Sequence, residues 1–125
     1  MIGFVDIDNM KGINDRLGHR AGDEALRTVA RALSQGVRPS DDVGKHTAGD
    51  EFYVILRLAG EEIAQPAEIA NILAERCRER ARSESEGVVD FTFGFASLDE
   101  FGSIDDAINA ADKDMYKQKR LKNLA

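Results

Sequence analysis

The apolar positions of this chain fall into two rhythms. Gly3-Phe4-Val5-Asp6-Ile7-Asp8 is a short apolar run that ends in two acids, which predicts a strand. Asn9 to Leu17 predicts a short helix stopped by Gly18. His19-Arg20-Ala21-Gly22 reads as a connector. From Asp23, Leu26, Val29, Ala30 and Leu33 recur at i, i+3, i+4 and i+7, an amphipathic helix that Gly36 closes. Glu24, Arg27 and Arg31 take its other face. Arg38-Pro39-Ser40-Asp41-Asp42 is a polar loop. Val43 to His46 predicts a weak strand, and Phe52 to Leu56 a strong one, being short, β-branched and aromatic, and free of Pro and Gly. Ala48-Gly49 between them reads as a tight hairpin turn. Pro66 suits the first turn of a helix with Ile69, Ile72, Leu73 and Cys77 on its apolar face. Its tail, Glu75 to Arg82, reads as a solvated charge run. Phe91-Thr92-Phe93-Gly94-Phe95-Ala96 alternates with period two, placing three phenylalanines on one face of a strand. Ser103 is the expected N-cap of a last helix with Ile104, Ala107, Ile108, Ala111 and Met115 on one face. That helix ends in the basic cluster Lys117, Lys119, Arg120 and Lys122.

The order β-α-α-β-β-α-β-α predicts an α+β fold. A central hairpin between helices makes a mostly antiparallel sheet with helices on one face the economical packing, a ferredoxin-like βαββαβ layout. The 125 residues, 42% hydrophobic, suit one domain spanning 1–125, with no repeat or linker. A net charge of −6 argues against a non-specific grip on nucleic acid or on an anionic membrane. A small anionic ligand then needs metal ions to offset the charge. The single cysteine, Cys77, permits no internal disulfide and reads as a small apolar core residue. No signal peptide and no membrane-length apolar run is visible, so a cytoplasmic protein is expected.

Candidate chemistry gathers at two acidic strand ends. Asp50 and Glu51 sit at the hairpin tip, and Asp6 and Asp8 end the first strand. In a βαββαβ sheet the first strand and the hairpin are neighbours, so Asp6 can meet Asp50 and Glu51. Such carboxylates repel unless a cation sits among them, and few hard oxygen ligands suit Mg²⁺ or Mn²⁺ shared with a phosphate substrate. That is the arrangement of two-metal phosphoryl transfer. The competing reading of the tip is a solvated turn. The competing reading of Asp8 is a helix cap or a lysine partner. An EF-hand is excluded, because Met10, Lys11 and Leu17 stand where ligand, glycine and closing glutamate belong. No Walker-type or dinucleotide-type glycine loop is present. Asn14, Asp15 and Asp23 flank Gly18. Asn and Asp together suit a purine edge, or are simply a helix surface and an N-terminal cap. Lys119 could reach a triphosphate, or be a solvated basic turn.

Taken together, Phe4-Val5-Asp6-Ile7-Asp8-Asn9-Met10-Lys11-Gly12-Ile13-Asn14-Asp15, Gly18-His19, Gly22-Asp23 and Ala48-Gly49-Asp50-Glu51-Phe52 resemble the GGDEF family of bacterial diguanylate cyclase domains. Phe91 to Ala96 and Ala111 to Lys119 are similar to its late strand and last helix. The resemblance runs the length of the chain. It implies a palm-like, nucleotide cyclase-like fold. It implies conversion of two GTP into cyclic di-GMP and pyrophosphate across a homodimer, each subunit holding one GTP. By match, Asp6, the Ile7 carbonyl, Asp50 and Glu51 would hold two Mg²⁺, with Asp50 or Glu51 helping to deprotonate the attacking hydroxyl. Amides at Asn9, Met10 and Lys11 would cradle the β- and γ-phosphates beside Lys119. Asn14 and Asp23 would read guanine, and Asp23 argues against acceptance of ATP.

The chain departs from the pattern at several places. Ala48 stands for the first signature glycine, His46 or Lys45 for an upstream arginine, and Met10 for phenylalanine. The glycine expected after Lys119 is missing, and so is the family's opening helix, as in a fragment. Arg38-Pro39-Ser40-Asp41 resembles the RxxD product-inhibition site, with Asp42 the alternative acid. The runner-up function is a degenerate domain that senses GTP or cyclic di-GMP without turnover. A third is a dimerisation domain for a larger signalling protein.

Overall fold

The computed structural model describes residues 1–45 and 51–124. The elements follow the predicted order: β1 (Ile2–Ile7), α1 (Met10–Leu17), α2 (His19–Gly36), β2 (Asp42–Lys45), β3 (Glu51–Ile55), α3 (Pro66–Glu84), β4 (Phe91–Ala96) and α4 (Ile104–Leu124). The hairpin-turn prediction for Ala48-Gly49 lies outside the described residues. Strand order is β2-β3-β1-β4, and each neighbouring pair is antiparallel. This is the expected βαββαβ sheet, with β1 central.

Helices cover both faces of that sheet, not one. β1 alternates Ile2 and Phe4 on one side with Val5 and Ile7 on the other, all buried. A strand apolar on both sides must be covered on both. Val5, Ile7, Phe52, Val54, Leu56, Phe91 and Phe93 meet Ala25, Val29 and Leu33 of α2 and Leu73, Cys77 and Ala81 of α3. Ile2, Phe4 and Ala96 meet Ala107, Ala111 and Met115 of α4. Gly94 permits that second packing, since a Cβ there would lie 2.1 Å from both the Ala111 carbonyl oxygen and the Met115 nitrogen.

The connector expected at His19–Gly22 is helical. Gly18, at φ 89, reverses the chain in one residue, and its carbonyl accepts from the amides of Ala21 (3.1 Å) and Gly22 (3.3 Å). Gly22 sits buried under the side chain of Asn14, where a Cβ would come within 1.9 Å of Asn14 Oδ1. Ile72 and Ile104, expected in apolar faces, are 62% and 66% exposed, because α3 turns Ala70, Leu73, Cys77 and Ala81 inward and α4 turns Ala107, Ala111 and Met115 inward. The Ser103 cap forms, its Oγ accepting from the Asp106 amide at 3.1 Å. No helix among the described residues is long and apolar enough to cross a membrane.

Candidate active site

The end of β1 is where the chemistry-bearing residues meet. Pairing places Asp6 directly opposite Glu51 on β3 and Thr92 on β4. Directly paired residues share a face of the sheet, so the Asp6 and Glu51 side chains emerge on the α4 side. The basic end of α4 runs over that corner. Lys119 and Lys122, three residues apart, lie on one face of the helix.

Both lysines fold inward, so the solvated basic turn is not what forms. Lys119 Nζ donates to Asp6 Oδ2 at 2.6 Å and to the Ile7 carbonyl at 3.3 Å. Lys122 Nζ donates to Asp8 Oδ2 at 2.7 Å and to the Phe91 carbonyl at 2.9 Å. Thr92 Oγ1 donates to Asp8 Oδ1 at 2.6 Å. The lysine-partner reading of Asp8 therefore describes its geometry: both carboxylate oxygens have protein partners. Asp6 and Lys119 are each 23% exposed, dry enough for the pair to hold and open enough for a ligand to reach.

A second layer anchors this corner. The Asp8 amide donates to the Asp90 carbonyl at 2.9 Å. The Asp90 carboxylate accepts from Arg78 Nε (3.1 Å) and Nη2 (3.0 Å) and from the Phe91 amide (2.8 Å), with Arg82 at the edge of reach. Burial alone pushes this carboxyl up, but Arg78, the Phe91 amide and the charge of Lys122 outweigh it and hold it below the usual range. The charge run on α3 is thus partly a clamp on Asp90 rather than a wholly solvated face. Lys122, Thr92, Asp90 and Arg78 were not singled out as site residues from the sequence. Signals for two of them were present: the spacing of Lys119 and Lys122, and the period of β4, which sets Thr92 opposite the phenylalanine face.

The chemistry of the donor set can be judged from a cation already present. The Asp6 carboxylate and Ile7 carbonyl converge on one positive centre, the Lys119 ammonium. They are hard oxygen donors, of the kind Mg²⁺ and Mn²⁺ take, and Glu51 stands across the sheet. Among the described residues no three His, Cys, Asp or Glu side chains converge as a metal cage. Asp50, the remaining acid of the expected set, lies outside the described residues, as do His46 and Ala48.

Asn9 has left-handed backbone angles (φ 56, ψ 39) and turns the chain from β1 into α1. No side chain caps that helix, so its first-turn amides, among them those of Met10 and Lys11, have no intrahelical acceptor. Asn14 is half-buried against Gly22 across the α1–α2 turn, and Asp23, the next residue of α2, is exposed. Asp23 lies within α2 rather than at its cap.

The residues of the RxxD-like loop turn toward one another. Arg38 Nε donates to Asp41 Oδ2 at 3.0 Å, and its Nη2 to Asp41 Oδ1 at 3.3 Å and to the Arg57 carbonyl at 3.1 Å. Its Nη1 pairs with Glu62, and Asp42 pairs with Arg57. Burial pushes the Asp41 carboxyl up, but Arg38 and the amides of Arg57 and Arg38 outweigh it and hold it below the usual range. Glu62 and Arg57 were not anticipated as partners.

The chain matches the family model described as "Diguanylate cyclase, GGDEF domain" over residues 1–123. It is 34% identical over 118 residues to the diguanylate cyclase DosC of Escherichia coli, covering 94% of this chain and 25% of that protein. It is 38% identical over 129 residues to the diguanylate cyclase DgcP of the same organism, covering 98% of this chain and 36% of that protein. The chain thus spans about a quarter to a third of these curated relatives. The crystal structure of the GGDEF domain of YfiN (TpbB) from Pseudomonas aeruginosa superposes with a TM-score of 0.77 at 32% identity, covering 96% of this chain and 75% of that one. With the antiparallel sheet, the Asp6–Glu51 register and the inward-folded end of α4, these likenesses show that the chain belongs to the GGDEF domain family of diguanylate cyclases.

Proposed function

We propose that this chain is the catalytic domain of a diguanylate cyclase, condensing two GTP into cyclic di-GMP with release of pyrophosphate. The observation that carries the reading is the corner where Asp6 and Glu51 stand opposite each other, with Lys119 at 2.6 Å from Asp6. Family membership and the cyclase names of the relatives support it.

In this reading two subunits of a homodimer face each other, each with one GTP. Asp6, the Ile7 carbonyl, Asp50 and Glu51 would hold two Mg²⁺ or Mn²⁺. When bound, such ions neutralise the triphosphate and favour the nucleophilic form of the attacking oxygen. Asn14 and Asp23 read the guanine edge, Asp23 accepting from its N–H groups. The amides at Asn9, Met10 and Lys11 donate to the β- and γ-phosphates, using the positive end of α1. Lys119 adds a mobile charge to the same phosphates. Asp50 or Glu51 takes the proton from the 3′-hydroxyl. That oxygen bonds to the α-phosphorus of the opposing GTP, the bond from that phosphorus to the β-phosphate bridge breaks, and pyrophosphate leaves. The same step from the other subunit closes the ring. Cytoplasm, where GTP and Mg²⁺ are at hand, is the fitting compartment.

Incubation with GTP and Mg²⁺, with products identified by mass, tests the reading. Cyclic di-GMP should form, and Glu51→Gln should abolish it while the melting temperature holds. Unchanged turnover in Glu51→Gln would sink the assignment of that residue. Tight binding of cyclic di-GMP with no GTP consumed would make the chain a nucleotide sensor instead.

A further inference from the structure

We propose that the Lys119 ammonium is a resident counter-cation. It holds the Asp6–Ile7 position in the nucleotide-free protein and exchanges with the divalent metal when a nucleoside triphosphate arrives. The inference rests on the cyclase reading above.

Three observations lead to it. The Asp6 carboxylate and Ile7 carbonyl, which that reading gives to the metal, both receive Lys119 Nζ, at 2.6 and 3.3 Å. A divalent ion bound to the same oxygens at about 2.1 Å would sit within a few ångströms of the ammonium. Two positive centres that close in a partly desolvated corner repel strongly, so ammonium and metal cannot share the position. Second, Lys119 can move. Its side chain is 23% exposed, and it sits near the end of α4 on a flexible four-carbon stem. Third, its neighbour is tied differently. Lys122 is held by Asp8 and the Phe91 carbonyl, neither of which is in the metal set, and Thr92 fixes the far oxygen of Asp8. Of two lysines on one helix face, only Lys119 stands in the way of the metal.

Where Lys119 goes follows from charge. The triphosphate brings several negative oxygens to the amides of α1. A lysine that leaves Asp6 for these oxygens exposes the carboxylate as the nucleotide binds. Metal and nucleotide therefore help each other, and by linkage the effect is reciprocal. In the nucleotide-free protein Lys119 offsets the charge of Asp6 and limits metal uptake.

The test is Mn²⁺ binding, read from the electron paramagnetic resonance of free Mn²⁺, with the full chain and no nucleotide. It is repeated with a non-hydrolysable GTP analogue. Lys119→Met should bind Mn²⁺ about tenfold more tightly than wild type without nucleotide, the scale of one charge-assisted hydrogen bond removed from competition. It should also lose most of the mutual enhancement between Mn²⁺ and the analogue. Lys122→Met removes an equal charge one turn away and measures the general electrostatic gain. Asp6→Asn on the Lys119→Met background should erase the tightening. A melt of each variant shows that it is folded. Lys119→Met binding no tighter than Lys122→Met overturns the exchange while leaving the metal site standing. Absence of Mn²⁺ binding in wild type and Lys119→Met, even with the analogue, overturns the cyclase reading and the exchange with it.

Discussion

Replacing Arg38 by Ala should destabilise the protein by about 2–3 kcal/mol, because it strands a buried carboxylate without its counter-charge. The Asp41 side chain has no exposed surface, and Arg38 is its ionic partner, with Nε at 3.0 Å and Nη2 at 3.3 Å. Removing one partner of a fully buried pair costs about 3–5 kcal/mol. Asp41 keeps two other donors, the Arg38 amide at 3.0 Å and the Arg57 amide at 2.9 Å, so the loss should fall below that range. For a chain of this length about 4 °C of melting temperature accompanies each kcal/mol, giving a drop of roughly 8–12 °C. The pair matters to the site because Asp41 precedes β2 and Arg57 follows β3. The bond from the Arg57 amide to Asp41 closes the hairpin at the end away from Glu51 and helps hold the register Asp42↔Ile55 to Lys45↔Phe52. Urea denaturation with Arg38→Ala, Asp41→Asn and the double variant is the assay. Asp41→Asn should cost less, because the charge left behind, on Arg38, is partly exposed and keeps its pairing with Glu62, and the double variant should cost less than the sum. A loss under about 0.5 kcal/mol for Arg38→Ala, the scale of an exposed ion pair, would refute the reasoning.

Three further outcomes are expected. Gly94→Ala should cost about 1–3 kcal/mol, because the new methyl meets the backbone of α4 at Ala111 and Met115, which cannot rotate away; a wild-type melting temperature would contradict this close approach. Stability should fall in acid. Asp41 and Asp90 both titrate lower in the folded protein than unfolded, so their contribution is complete above the unfolded carboxylate pKa and lost as pH falls through the folded values. Urea midpoints should hold above about pH 5 and drop below about pH 4, and an unchanged midpoint at about pH 3 would be the contrary result. The Cys77 thiol, wholly buried and pushed up to about 11 by desolvation, should react with a thiol reagent only as fast as the protein unfolds; rapid labelling of the native protein would count against that burial.

Much of the architecture follows from local pattern. Local pattern placed the strands and α-helices of the described residues in order, because burial on one face writes itself into spacing. Ser103 as a cap and Gly18 as a stop are decided by the chemistry of a single turn. Asp6, Asp50 and Glu51 stand out as acids at two strand ends, whereas Asn14, Asp23 and Lys119 are nominated by the family resemblance. Local pattern also had limits within single elements. His19 to Gly22 looked like a connector because a glycine and two polar residues favour a turn, yet the tertiary fit of Asn14 over Gly22 makes it the first turn of α2. Ile72 and Ile104 looked like core because hydropathy ignores which neighbours are present to cover them.

What only the tertiary structure decided is which cation meets which acid. Lys119 lies 113 residues from Asp6, and Lys122 lies 114 from Asp8. No spacing rule spans such distances. The predicted strand order already set Asp6 beside Glu51, but only the packing of α4 at Gly94 aims its last turns at the end of β1. The same packing put helices on both faces of the sheet, where local pattern suggested one. Propensity and periodicity act between near neighbours, so the chain by itself specifies its elements and their acids. The partner of each acid is a global quantity, settled when the sheet order and the helix packing form together.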